Sequence, residues 1–188
     1  MIDTSFALIS ISVIGIPLSI ILNLLFKRNL YIHVISLISL MYFAVLISVT
    51  LFPIYVDSRP VEDMRVNGSI LLVNLVPFKG ILSSLNHSYY MVGVRNVLGN
   101  FLLFIPFGIF LGILKVSQVL RALLYGLLFS VVIELLQLLQ THLLLGTRAV
   151  DIDDLILNSL GVVVGFLFYT TFKRVEVKYK MWGVSEKI

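Results

Sequence analysis

The sequence predicts an all-α fold: a polytopic integral membrane bundle of five transmembrane helices, forming one domain over residues 1–188, with the N-terminus outside and the C-terminus inside. Three observations predict it. Only 13% of the 188 residues are charged while 59% are hydrophobic, with a mean hydropathy of +1.05, which is about half the charge an ordinary water-soluble domain carries. The charges are also segregated: residues 4–26, 29–56, 96–114 and 155–172 contain no Asp, Glu, Lys or Arg, and 122–147 contain only Glu134. Finally, each window reaches or approaches the roughly 20 apolar residues that cross a bilayer core of about 30 Å at about 1.5 Å per residue. A cytosolic globule is excluded. The absence of cysteine removes disulfides, thiolate chemistry and zinc ribbons together.

The first window has no basic residue ahead of it, is longer than an apolar signal core and lacks a small-residue cleavage site, so it is expected to remain as a span. Pro17 in span one and Pro106 in span three are expected to kink their helices, which neighbouring helices make tolerable in a membrane. Gly108-x-x-x-Gly112 and Gly161-x-x-x-Gly165 give spans three and five faces on which backbones approach closely, and spans three, four and five are expected to pack together. Tyr89, Tyr90 and Trp182 sit near span boundaries, where aromatic residues anchor to the interface.

Orientation follows from Lys and Arg, which stay on the cytoplasmic side of short loops. Lys27, Arg28, Lys115, Arg121, Lys173, Arg174, Lys178, Lys180 and Lys187 fall on one side of the alternating spans, and Arg59, Arg65, Lys79, Arg95 and Arg148 on the other. The larger group is expected to be cytoplasmic, placing the 57–95 segment outside and making 173–188 a basic cytoplasmic tail. The formal charge of +4 and pI near 9.4 are read as attraction to anionic lipid headgroups; membrane lipid is the expected partner and nucleic acid is not.

Polar residues inside the last three spans cluster toward the outer end. Span three opens with Arg95, Asn96 and Asn100; span four carries Glu134, Gln137 and Thr141; span five follows Arg148, Asp151, Asp153 and Asp154 and contains Asn158. Glu134, Gln137 and Thr141 share one helical stripe at i, i+3 and i+7, as do Asp151, Asp154 and Asn158 if helical. Lipid-facing carboxylates and carboxamides are costly, so these faces are expected to turn toward one another and line a polar pocket opening outward. Glu134 would lie roughly 10 Å below the interface, where an acidic residue costs up to about 3 kcal/mol; Arg148 and then Arg95 are its candidate partners.

Plainer readings stand beside this one. Asp151 and Asp154 fit the N-cap and N3 positions of span five, and Asn96 fits the cap of span three. Asn100, Gln137 and Asn158 also fit interhelical hydrogen bonds worth about 0.6–2 kcal/mol each, and Glu134 with Arg148 fits a structural ion pair. The three aspartates are the ligand type Mg²⁺ takes beside a pyrophosphate, but adjacent helical residues point about 100° apart. His33, His87 and His142 make no triad. No metal and no cofactor is assigned.

At these residues the sequence resembles the VanZ-like family, whose founding member is associated with teicoplanin resistance. The resemblance rests on Asn74-Leu-Val-Pro77-Phe78, Asn100-x-x-x-Phe104-x-Pro106-x-Gly108, Glu134-x-x-Gln137 and Arg148-x-x-Asp151-x-x-Asp154-x-x-x-Asn158-x-x-Gly161, and covers residues 70–172. It implies a multi-pass protein of the bacterial cell membrane that lowers susceptibility to teicoplanin-type lipoglycopeptides. The expected mode is binding of the drug or a lipid-linked cell-wall precursor by Arg95, Asn100, Glu134, Gln137, Arg148, Asp151, Asp154 and Asn158. The alternative is an outer-leaflet hydrolase or transferase acting on a lipid-linked envelope substrate, with Glu134 as its catalytic acid or base. A purely structural partner of another envelope protein is the third possibility.

Overall fold

The computed structural model describes residues 1–68, 73–86, 90–148 and 150–185, with no description of the side chains of 84, 90 and 177–185. His87, Tyr89 and Lys187 therefore lie outside the described residues, as do the side chains of Tyr90, Lys178, Lys180 and Trp182. In chain order the described elements are α1 (Thr4–Leu25), α2 (Leu30–Leu51), α3 (Arg59–Val66), β1 (Val73–Asn74), α4 (Lys79–Leu85), α5 (Tyr90–Ile113), α6 (Val119–His142), β2 (Val150–Asp151) and α7 (Ile152–Ser185). The two short strands pair with one another. Among the described residues, five helices are long and apolar enough to cross a membrane: α1, α2, α5 from Met91, α6, and α7 as far as Glu176. The fold class is all-α and membrane-spanning, as the charge-free windows require.

The chain forms two compact units, Met1–Asn74 with Ile133–Val150, and Leu75–Val132 with Asp151–Ile188. In the first, α1 and α2 pack against each other. Each starts at a polar cap: the Asp3 carboxylate accepts the Phe6 N–H at 2.7 Å, and the Asn29 side-chain oxygen accepts the Ile32 N–H at 3.0 Å. Such caps satisfy donors that a helix start leaves without partners. Gly15 lies where Leu40 crosses, since a Cβ there would stand 2.9 Å from a Leu40 methyl. α2 stops at Leu51, five residues short of its charge-free window, because Pro53 drives Phe52 into an extended conformation with φ −119° and ψ 154°. Beyond it the chain is held by the Ile2–Ile54 bridge and by the Tyr55 N–H donating to the Leu145 carbonyl at 2.8 Å. Short α3, within the long 57–95 segment, buries Val61 completely. Just before it, the Arg59 guanidinium holds the exposed Asp57 carboxyl below its ordinary range through a 2.6 Å ion pair.

In the second unit α5 and α7 lie backbone to backbone. A Cβ added at Gly108 would sit 2.0 Å from the Val162 carbonyl oxygen, one at Gly161 2.2 Å from that of Phe101, and one at Gly165 1.9 Å from that of Ile105. Gly112 faces the Tyr169 ring at 2.3 Å on the same construction. Phe104, Val162 and Phe166 are buried here, and Phe129 of α6 packs its ring on Phe104 and Phe107 with centroids 6.1 and 4.9 Å apart. Helices α1 and α5 run on through Pro17 and Pro106.

α5 begins at Tyr90, so Arg95 and Asn96 are helical residues and Asn96 is not a cap. The apolar residues Met91, Val92 and Val94 extend the helix ahead of the charge-free window. Three helices end in the same hydrogen-bonded turn, in which the chain folds back to satisfy the last carbonyls. Lys27, Lys115 and Leu144 occupy its left-handed position with φ 48°, 62° and 59°. Val116 donates to the Leu111 carbonyl at 3.1 Å and Lys115 to that of Gly112 at 3.0 Å, and Leu145 and Leu144 donate likewise to Gln140 and Thr141. That turn ends α6 at His142, ahead of the window's end at 147.

Candidate functional site

The polar stripe of α6 in the first unit meets the end of α2. The last carbonyls of a helix have no partner within it, and inside a membrane water cannot supply one. Three side chains do so here. Gln137 donates from Nε2 to the Thr50 carbonyl at 2.8 Å, Gln140 to that of Leu51 at 3.1 Å, and Arg148 from Nη2 to that of Val49 at 2.8 Å. Thr141 Oγ donates to the Arg148 carbonyl at 2.5 Å, fixing the turn that carries the guanidinium. Gln137→Leu is expected to strand the Thr50 carbonyl and cost about 1–3 kcal/mol, to be read as a lowered unfolding temperature of the detergent-solubilised protein; an unchanged temperature would assign that carbonyl another donor.

Glu134 lies one turn before Gln137 on this stripe and is 3% exposed. Eight residues separate it from the end of α6, placing the carboxylate roughly 12 Å inside the span. It is covered by protein and does not face lipid, where a carboxylate would be costly.

The second unit uses its aspartates in three different ways. Asp151 is the residue ahead of α7 and accepts the Asp153 N–H at 2.9 Å, so it is an N-cap in strand conformation and not the first member of a helical stripe. Asp154, in the first turn of α7, accepts a hydrogen bond from the Asn100 side-chain amide. Asp153 is the most deeply buried of them at 2% exposed. Its two oxygens accept the backbone N–H groups of Phe78 at 2.5 Å and Ile81 at 3.0 Å, clasping the start of α4. Phe78 there is left-handed at φ 65°, a conformation costing an ordinary residue about 1–2 kcal/mol. Gly80 completes the clasp: a Cβ would stand 2.4 Å from Asp151 Oδ2 and 3.0 Å from Asp153 Oδ2.

Asn158 is buried and donates from Nδ2 to Ser130 Oγ of α6 at 2.8 Å, while its Oδ1 and the neighbouring Ser159 hydroxyl, both buried, have no hydrogen-bond partner among the described residues. Arg95 is exposed on α5. The candidate residues thus divide. Glu134, Gln137 and Arg148 belong to the first unit, where Gln137 and Arg148 meet on consecutive carbonyls of α2; Arg95, Asn100, Asp151, Asp154 and Asn158 belong to the second, where Asn100 meets Asp154. No group of three His, Cys, Asp or Glu side chains stands in metal-holding geometry among the described residues; the Asp153 oxygens are engaged by backbone N–H groups.

Two participants are hard to see in the sequence. Asp153 stands beside two other aspartates, and its signal is the run Asp151-x-Asp153-Asp154 together with the loop that carries Pro77-Phe78. The carbonyls of Val49, Thr50 and Leu51 have no signature of their own beyond Pro53, which announces a helix end shortly before it. The described chemistry is acid, amide and guanidinium: it suits hydrogen bonding to phosphate, carboxylate or amide groups and, through Glu134, proton exchange.

No curated protein and no solved structure matches the chain. The model of the VanZ/LLP1 family matches residues 36–173. The match begins well before residue 70, so it takes in α2, whose terminus the α6 stripe and Arg148 engage. With most of its length matched, including all five spans except the first, the chain belongs to the VanZ/LLP1 family.

Proposed function

We propose that the protein lowers the susceptibility of a bacterial cell to teicoplanin-type lipoglycopeptides. It does so by binding the drug or a lipid-linked cell-wall precursor through polar side chains that face the outside, as the distribution of Lys and Arg favours. Arg95 and Arg148 meet phosphate or carboxylate oxygens with a guanidinium fork. Asn100, Gln137, Asp151, Asp154 and Asn158 supply hydrogen bonds, and Glu134 orients an arginine or accepts a proton.

The observation that carries the reading is Glu134: a carboxylate enclosed by protein in mid-span is a functional-site signal, because such a group is expensive to keep in a membrane. Glu134→Gln keeps the shape and removes the charge. In a sensitive bacterium expressing the protein, this variant is expected to return the growth-stopping teicoplanin concentration to that of cells lacking it, at an equal amount of protein in the membrane. Full protection by the variant would overturn the proposal. Product formation from a labelled lipid-linked precursor, lost in the same variant, would replace binding with the catalytic alternative.

A further inference from the structure

The other end of the second unit carries a groove between α5 and α6 of about 490 Å³, within the range of small-molecule and lipid sites at about 300–1,000 Å³. Its lining is almost wholly apolar. One wall is Phe107, Leu111 and Leu114 of α5 and the turn after it; the other is Tyr125, Leu128 and Phe129 of α6. The rings of Phe107 and Phe129 stack at 4.9 Å and 25° across it. We propose that this groove holds one hydrocarbon chain of an anionic diacyl phospholipid, whose phosphate is met by Lys115 and Arg121.

The charges are placed by the fold. Arg121, Tyr125, Leu128 and Val132 fall at i, i+4, i+7 and i+11, so Arg121 stands one turn beyond Tyr125 on the stripe that forms the α6 wall. On the α5 side, the left-handed turn at Lys115 brings the Val116 N–H back to the Leu111 carbonyl. Val116 and Leu111 both line the groove, which sets Lys115 at its mouth. Both cations are exposed, and residues 114–121 contain no acidic side chain. With so little polar lining the groove offers a headgroup nothing to read by hydrogen bonding. Selection must come from hydrocarbon burial within and positive charge at the rim, where juxtamembrane cations attract anionic lipid. This inference is independent of the drug-binding proposal, since none of its residues belongs to that constellation.

The test is native mass spectrometry of the purified full chain in detergent, with phosphatidylglycerol and phosphatidylcholine of identical chains. The protein is expected to retain phosphatidylglycerol about tenfold more tightly than phosphatidylcholine, and Lys115→Gln/Arg121→Gln to lose that preference. Leu128→Trp, which fills the groove, is expected to lower retention of phosphatidylglycerol; if that variant does not fold, the exposed-pair variant decides alone. Inorganic phosphate is expected not to displace the lipid. Equal retention of the two lipids, an unchanged preference in the Lys115→Gln/Arg121→Gln protein, displacement by inorganic phosphate, or stronger retention of a polyprenyl phosphate would each overturn the proposal.

Discussion

Gly165→Val is expected to break the pairing of α5 with α7 and to be the most damaging single substitution in the second unit. Even the first carbon of the new side chain would lie 1.9 Å from the Ile105 carbonyl oxygen, well inside contact distance. The obstacle is backbone, which cannot rotate away as a flexible side chain would. The helices would have to separate, losing the packing of Phe104, Val162 and Phe166. Packing is the main force holding helices together in lipid, where the hydrophobic effect between them is absent. A cost of about 3 kcal/mol or more follows, lowering the unfolding temperature by roughly 6–12 °C for a chain of this size. Gly99→Ala is the control. Gly99 is in α5, the helix that packs against α7, with nothing within 4 Å of its Cβ position, so alanine there is expected to be neutral or to stabilise by up to about 1 kcal/mol. Equal behaviour of the two variants would contradict the close approach.

The second large effect is expected at Asp153. Removing its carboxylate in Asp153→Ala strands two backbone N–H groups, each costing about 1–3 kcal/mol when buried and unpaired. It also releases Phe78 from its left-handed conformation. Asp153→Asn is informative because it preserves volume. An amide has one acceptor oxygen and one donor NH₂, so it keeps a bond to either Phe78 or Ile81 and turns a donor toward the other N–H. Hydrogen exchange measures this directly. Both amides are expected to exchange slowly in the wild type, one of them to become fast in the asparagine variant, and both in the alanine variant. Protection unchanged in Asp153→Ala would show that the α4 start is held by something else.

These aspartates also show how far the sequence can be read. The spans were legible because exclusion of charge from hydrocarbon leaves long blank windows, and the glycine faces because small residues at i and i+4 have one main use in a membrane. Their ends were less legible. Pro53 stops α2 inside its window, and α5 starts before Arg95 because one exposed arginine near a helix end costs little. Helical spacing grouped Asp151, Asp154 and Asn158 on one stripe, but the helix begins at Ile152. Asp151 is therefore a cap, Asp154 pairs with Asn100, and the clasp falls to Asp153. The carbonyls that Gln137, Gln140 and Arg148 satisfy belong to backbone, which every sequence position shares and none advertises. Short α3, α4 and the β1–β2 pair escaped because segments of two to eight residues leave no period to detect.

The protein reconstituted in lipid nanodiscs, titrated with fluorescent teicoplanin and separately with a labelled lipid-linked wall precursor, tests the central claim most directly. Saturable binding of at least one ligand is expected, weakened about tenfold or more in a correctly folded Glu134→Gln variant. Failure of both ligands to bind the wild type, or binding unaltered by the loss of that charge, would contradict the account.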